Sequence, residues 1–234
     1  MNNTTAPAMC RLNLPVIRLL MQKDWQLFQK QLAALVLAGL VALTLIGLAR
    51  PWAFHLGSLL LIVVLVSVAC FAISTSLLVE RKEQTLAWVM SLPVSPLDFT
   101  LAKLAGNLLT FGLPFALIGL GTLGTVLFTP LPDGLVVLAT LVLGHILLAY
   151  SLSLSVAMSV ESEGWNTFVM IASMVLINPF MMGISQIESI QSTYRSSSVD
   201  FSPAALAILG TQLGLSALLL VLTAWRHGRR PAFY

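Results

Sequence analysis

Charge is scarce in this chain, because only 9% of its 234 residues are Asp, Glu, Lys or Arg. An average soluble domain carries roughly 25%. Hydrophobic residues make up 58% instead, and the mean hydropathy is +0.94. Such a composition excludes a soluble globular domain and predicts a membrane protein, with lipid covering most of the apolar surface.

Cysteine is nearly absent, and several enzyme motifs are missing. Cys10 precedes the first apolar run and Cys70 lies within the second, so neither a disulfide nor a metal site is predicted. The sequence has no G-x-x-x-x-G-K-[ST], and none of its lysines follows a glycine, so it has no phosphate loop of its own. The absence of H-E-x-x-H and G-x-S-x-G argues against a metalloprotease and against a serine hydrolase.

Six long apolar runs fill most of the chain. Each exceeds the roughly 18 residues that can cross a bilayer core, and none alternates as a barrel strand would. We therefore predict an all-α membrane protein in which residues 1–30 form a tail and an interfacial helix and residues 31–234 form the transmembrane domain. The predicted spans are residues 31–49, 56–79, 104–129, 134–160, 164–187 and 201–224.

Lys and Arg are distributed unequally between the two sides that these spans define. Ten lie on the side of the chain termini, whereas only Arg50 and Arg195 lie on the other side. Because basic loops are retained in the cytoplasm, we expect both termini to be cytoplasmic. The expected location is the bacterial cytoplasmic membrane, and the net charge of +3 then reflects orientation and not nucleic-acid binding.

The segment before the first span has an amphipathic pattern. Apolar side chains recur at helical spacing, and polar side chains occupy the opposite face. The apolar set is Ile17, Leu20, Met21, Trp25 and Phe28, and the polar set is Arg18, Gln22, Gln26 and Lys30. This pattern predicts a helix lying in the cytoplasmic interface, which could be a plain anchor or a contact for a partner.

The connection between the second and third spans begins with four consecutive charged residues, 80–83. Its sequence then predicts two helices separated by a break. Residues 80–91 favour a helix, which ends where Leu92 precedes Pro93. A second helix is predicted to begin at Pro96, capped by Ser95. A simple connector between two spans needs neither these charges nor two helices. We call residues 80–103 the elbow, and its pattern suggests a function.

At these residues the chain resembles the permease subunits of type-2 ABC exporters. The matching residues, in order and spacing, are Arg81, Thr85, Leu86, Pro93, Val94, Ser95 and Lys103. The chain departs from that pattern at Gln84, where glycine is usual, and at Ala87, where glutamate is usual. The six-span layout extends the likeness over nearly the whole chain.

The resemblance implies that the elbow is a coupling helix that inserts into a groove of a separate cytoplasmic ATPase. The implied contact residues are Arg81, Glu83, Thr85, Leu86 and Trp88, with Glu161 and Glu163 after the fourth span as a second contact. Two permease copies and two ATPase subunits are expected in the complex. ATP and Mg²⁺ would be bound by the ATPase, and this chain would bind no cofactor.

Five residues are candidates for the substrate path, with ordinary packing as the alternative for each. His145 lies deep in the fourth span, and an ionisable residue there suggests function. The fifth span supplies Met174, Asn178, Phe180 and Met181, and Pro179 within it predicts a kink. Methionine-rich surfaces adapt to varied apolar ligands, and in the resembling family this span borders the path between subunits.

Two other functions stay open at the level of sequence. The membrane substrate-binding subunit of an ABC-type vitamin importer also has six spans and works with ATPases. The haem-exporter subunit of cytochrome maturation shares the same layout, although only His145 speaks for haem. The elbow framed by prolines favours an exporter of amphipathic or apolar cargo, and the sequence does not specify that cargo further.

Overall fold

The computed structural model describes residues 14–75, 96–160 and 162–228, and all regular structure in these ranges is helical. The elements are α1 (Leu14–Gly47), α2 (Pro51–Ile73), α3 (Pro96–Phe128), α4 (Leu135–Ser159), α5 (Glu163–Val175), α6 (Ile177–Ser185), α7 (Glu188–Gln191), a 3-10 helix (Ser192–Arg195) and α8 (Pro203–Gly228). The described chain is therefore all-α.

Six helical stretches are long and apolar enough to cross a membrane, which confirms the predicted number of spans. They are Phe28–Gly47, Pro51–Ile73, Leu101–Phe128, Leu135–Ser159, Glu163–Ser185 and Pro203–Arg226. The sequence predicted that the second span starts at residue 56. Its helix begins at Pro51, because proline suits the first helical turn and Arg50 before it is extended.

Helix α1 is longer than the sequence suggested. A separate interfacial helix was expected ahead of the first span, but residues 14–47 form one continuous helix. No glycine or proline lies between Pro15 and Gly39, so nothing interrupts the backbone hydrogen bonds. At 34 residues the helix is about 51 Å long, against about 30 Å for a bilayer core. It therefore extends well beyond the span.

Helix α4 lies at the centre of the bundle. It packs against α2, α3, α5, α6 and α8, whereas α1 packs against α2 and α3. The larger apolar cluster, here called the central cluster, contains residues of α1 to α6 and includes the fully buried Leu65, Ile118 and Leu154. Helix α8 is the most exposed of the six spans. The chain thus builds its core around α4.

The two ends of the bundle differ in structure. The distal end comprises residues 48–50, 129–134 and 186–202, and the proximal end comprises residues 96–101, 160 and 162–163. At the distal end α7 and the 3-10 helix occupy the stretch that the sequence left open between loop and helix. A second apolar cluster, the distal cluster, consists of Val137, Leu141, Ile184, Ile190 and Ala205. The connection before α8 is therefore packed onto the bundle.

The fifth span is broken near its middle, as Pro179 predicts. Helix α5 ends at Val175, α6 begins at Ile177, and Leu176 between them has φ −61° and ψ −9°. Pro179 has no N–H to donate to the Val175 carbonyl. In α3, by contrast, Pro114 lies inside a helix that continues without a break. The chain therefore places its discontinuity in α5–α6 alone among the described spans.

Candidate functional site

The structure brings together two of the residues predicted for the substrate path. The rings of His145 on α4 and Phe180 on α6 are stacked, with centroids 4.5 Å apart and an interplanar angle of 11°. Met174 is buried in the central cluster, and Met181 packs against both the central and the distal cluster. Asn178 is exposed on the other side of α6 and does not join this group.

The His145 ring carries an unsatisfied nitrogen. Its Nε2 atom is buried and has no hydrogen-bond partner among the residues that the structure describes. Buried polar atoms in native proteins are nearly always paired with protein groups or with water. Depending on its tautomer, this nitrogen can donate or accept one hydrogen bond. The His145–Phe180 pair is thus an aromatic stack that includes one buried polar atom without a described partner.

A metal centre has no basis in the described geometry. Within residues 14–75, 96–160 and 162–228 no three His, Cys, Asp or Glu side chains come together in a way that could hold a metal ion. Cys70 lies in the apolar surroundings of α2.

Gln212 is a buried polar residue that sequence reasoning missed. It lies on α8, and its Nε2 donates to the Leu141 carbonyl oxygen of α4 at 3.3 Å. Its Oε1 fits into the notch that Gly144 leaves on α4, where any side chain would collide with it. The sequence did contain a signal for a buried polar contact, because Gln212 is a lone glutamine in an apolar span. Gly144 therefore serves close helix packing, as small residues do in membranes.

A layer of buried polar residues lies toward the proximal end of α3. Lys103 is only 3% exposed, and its carbonyl oxygen accepts from the Asn107 Nδ2 at 3.1 Å. Thr110 continues this layer by one turn, and Phe111 beside it stacks on Tyr150 of α4 with centroids 3.8 Å apart. The sequence placed Lys103 at the foot of the span and did not reveal that it is buried.

The turn between α4 and α5 holds Glu163, the one predicted ATPase contact whose position is described. The Ser162 Oγ caps α5 by accepting from the Trp165 N–H at 3.4 Å, and the Asn166 Nδ2 donates to the Val160 carbonyl oxygen at 3.1 Å. Glu163 is exposed in the first helical turn, where the helix dipole favours a carboxylate. Glu163 is thus an exposed acidic side chain at the start of α5.

The other predicted ATPase contacts lie outside the described residues. They are Arg81, Glu83, Thr85, Leu86, Trp88 and Glu161. Helix α3 begins at Pro96, which agrees with the helix start predicted there. The role of residues 80–103, called the coupling segment from here on, stays a prediction from the sequence.

Comparisons with protein-family models, with curated proteins and with solved structures gave no match to this chain. The likeness to ABC permeases therefore rests on the residues between α2 and α3 and on the six-span layout.

The unsatisfied nitrogen of His145 leads to a stability prediction. We expect His145→Phe to raise the unfolding temperature in detergent by a few degrees, because it keeps the ring stack on Phe180 and removes a buried polar atom that costs about 1–3 kcal/mol when unpaired. The matched control is His55→Phe, because His55 is exposed at the start of α2. A lower unfolding temperature for His145→Phe would show that the nitrogen has a partner that stabilises the fold.

Proposed function

We propose that this chain is the membrane-spanning permease half of an ATP-driven ABC exporter. It moves an amphipathic or apolar substrate out of the cytoplasm or the inner leaflet when a separate ATPase subunit binds and hydrolyses ATP. The observation that carries the proposal is the match of residues 81–103 to the coupling segment of such permeases. This segment connects the second and third spans of a six-span bundle.

The proposed coupling follows from how α3 is built. Leu86 and Trp88 are the apolar anchors in the ATPase groove, and the charged residues around them provide the polar rim. Helix α3 starts at Pro96 and runs 33 residues without a break, a length of about 50 Å. A displacement of the coupling segment is therefore passed along α3 through the whole thickness of the membrane. ATP and Mg²⁺ are held by the ATPase.

The proposed substrate path lies between two copies of the chain, beside α5 and α6. The exposed side of this broken helix is apolar and carries Trp165, Phe168, Ile171, Val175 and Met182. Transporters often place their binding sites at discontinuous helices, because the helix ends and unwound backbone groups at a break can contact the substrate or a coupling ion. His145 and Phe180 lie behind the break and Asn178 lies on its exposed side. These groups offer mixed polar and aromatic contacts to an amphipathic molecule.

The proposal requires the coupling segment to be cytoplasmic, which can be tested by thiol labelling in a Cys10→Ser, Cys70→Ala background. We expect Glu83→Cys to react with an impermeant maleimide only after permeabilisation, and Ser197→Cys to react in intact cells. Ser197 is exposed at the distal end, two residues after Arg195 in the sequence. The ten-to-two distribution of basic residues gives the expected direction. Labelling at position 83 in intact cells would place the segment outside and remove the proposed function.

A further inference from the structure

Asn178 is an exposed polar residue deep within a membrane span. It lies on α6 and precedes Ser185, the distal end of the 23-residue span Glu163–Ser185, by seven residues. At about 1.5 Å per residue this distance is about 10 Å, inside a bilayer core about 30 Å thick. Pro179 and Met182 are exposed beside it. A carboxamide is therefore presented on a side of the helix that is otherwise apolar.

The Asn178 carboxamide has no hydrogen-bond partner in the part of the chain that the structure describes. Thr211 of α8 is exposed at a similar depth, but its hydroxyl donates to the Ala207 carbonyl oxygen at 2.8 Å. Ser185 likewise donates to the Met182 carbonyl oxygen at 2.8 Å. Hydrocarbon offers an amide no hydrogen bond, so an unpaired carboxamide at this depth is costly. Asn178 therefore requires a partner.

The remaining parts of the same chain join the bundle far from Asn178. Residues 1–13, 76–95, 161 and 229–234 all connect to helix ends at the proximal end. Asn178 lies in the distal half of its span. Lipid headgroups lie outside the bilayer core, and lipid tails cannot form hydrogen bonds. The partner is therefore sought in another molecule within the membrane.

A second copy of the chain supplies a matching group at the same depth. Two copies insert in the same direction, because the same basic residues orient both. A two-fold axis perpendicular to the membrane then brings identical residues together at one level. A carboxamide is complementary to itself, because it contains N–H donors and an acceptor oxygen. Each Asn178 can thus donate to the other across the axis.

We infer that the Asn178 carboxamides of two copies hydrogen-bond to each other, and that the exposed side of α6 is a contact between the copies. Asparagine side chains stabilise helix association in membranes in this way. Met182 lies one turn from Asn178 on the same side and adds an adaptable apolar contact. Ile177 and Ile184 are buried on the opposite side, so α6 stays packed on its own bundle.

This inference rests on the proposed function for the presence of a second copy, but it requires no ATPase. In an exporter, the paired carboxamides lie on the proposed path beside α6 and hold the two copies together at that depth. Passage of a substrate then requires the pair to separate. The pair is therefore the closed state of the path.

Disulfide crosslinking in native membranes tests the contact. In a Cys10→Ser, Cys70→Ala background, we expect Met182→Cys to form covalent dimers on mild oxidation. The matched control is Leu206→Cys, because Leu206 is exposed on α8 and, like Met182, lies three residues inside the distal end of its span. We expect no dimers from this control. An absence of dimers at position 182, or equal amounts at both positions, would overturn the contact.

The carboxamide itself is tested in the Met182→Cys chain. Adding Asn178→Leu should reduce the dimer fraction of the inserted protein several-fold, whereas Asn178→Gln keeps the carboxamide and should retain most of it. Equal dimer fractions with leucine and asparagine would show that the carboxamide serves its own helix or a substrate, and would overturn the pair. This result is separate from the proposed function, which is decided by whether an ATPase co-purifies with the wild-type chain.

Discussion

Replacing Gly134 with alanine is expected to destabilise the distal end of the bundle by on the order of 3 kcal/mol. Gly134 precedes α4 with φ −58° and ψ −21°, which any residue can adopt, so backbone strain is not the cause. The cause is steric, because an added Cβ would collide with the carbonyl group of Thr193 in the 3-10 helix. The two backbones must then separate.

That separation also removes a hydrogen bond and loosens a packed connection. The Gly134 N–H donates to the Ser196 carbonyl oxygen at 3.1 Å, and nearby Ile190 is fully buried in the distal cluster. The measurement is thermal unfolding of the purified chain in detergent. Gly183→Ala on α6 is the matched control, because an added Cβ there meets no atom within 4 Å. Equal unfolding temperatures for the two variants would show that the 3-10 helix does not pack on Gly134.

The positions of the spans could be predicted because apolar length is a property of the sequence itself. Every span found in the structure overlaps a predicted one, and the break in the fifth follows from the missing N–H of Pro179. At α2 the helix begins at Pro51, ahead of the predicted span start at residue 56, because proline and arginine suit both a turn and a helix start. Pro51 is the first residue of the helix, and the local sequence does not distinguish this role from a place in a turn.

Residues buried by contacts between distant segments could not be predicted. Ile190 is surrounded by apolar residues of α4, α6 and α8, although its own stretch is rich in serine and glutamine. Gln212 is buried for the same reason, since it packs against Leu141 of another helix. A lone polar residue in an apolar span was a visible signal. Which side of the helix faces the bundle is decided only by packing.

The candidate path was predictable only in part. The sequence selected His145 and Phe180 for separate reasons, one as an ionisable residue and the other as a member of an adaptable span. Their stacking depends on the break at Leu176, which sets the direction of α6. Asn178 was selected for the same span, yet it lies on the exposed side of the helix. Helical phase after a break is not encoded by the residue types alone.

The second large effect is expected at the coupling segment. Replacing Leu86 and Trp88 together by alanine should reduce the amount of ATPase that co-purifies with the chain at least about tenfold. Each buried apolar anchor of an interface contributes on the order of 1–4 kcal/mol, and 1.4 kcal/mol corresponds to a tenfold change in affinity. The spans should insert normally, because their stability comes from packing between the helices.

The matched control for this variant is Trp52→Ala with Leu56→Ala. Both residues are exposed on α2 near the distal end, so the control removes the same two side-chain types far from the segment between α2 and α3. We expect this control to retain the ATPase at the wild-type level. Equal membrane amounts of the two variants, measured by quantitative blotting, exclude a difference in insertion.

The decisive measurement is the composition and ATP hydrolysis of tagged complexes purified in mild detergent from the native cells. If the chain is an exporter permease, the wild-type protein co-purifies with an ATPase that has a phosphate loop, at one ATPase per chain, and the complex hydrolyses ATP. The Trp52→Ala, Leu56→Ala control should give the same result. The Leu86→Ala, Trp88→Ala variant loses both properties. A wild-type complex without such an ATPase, or a double variant that keeps it and its activity, would contradict the proposed function.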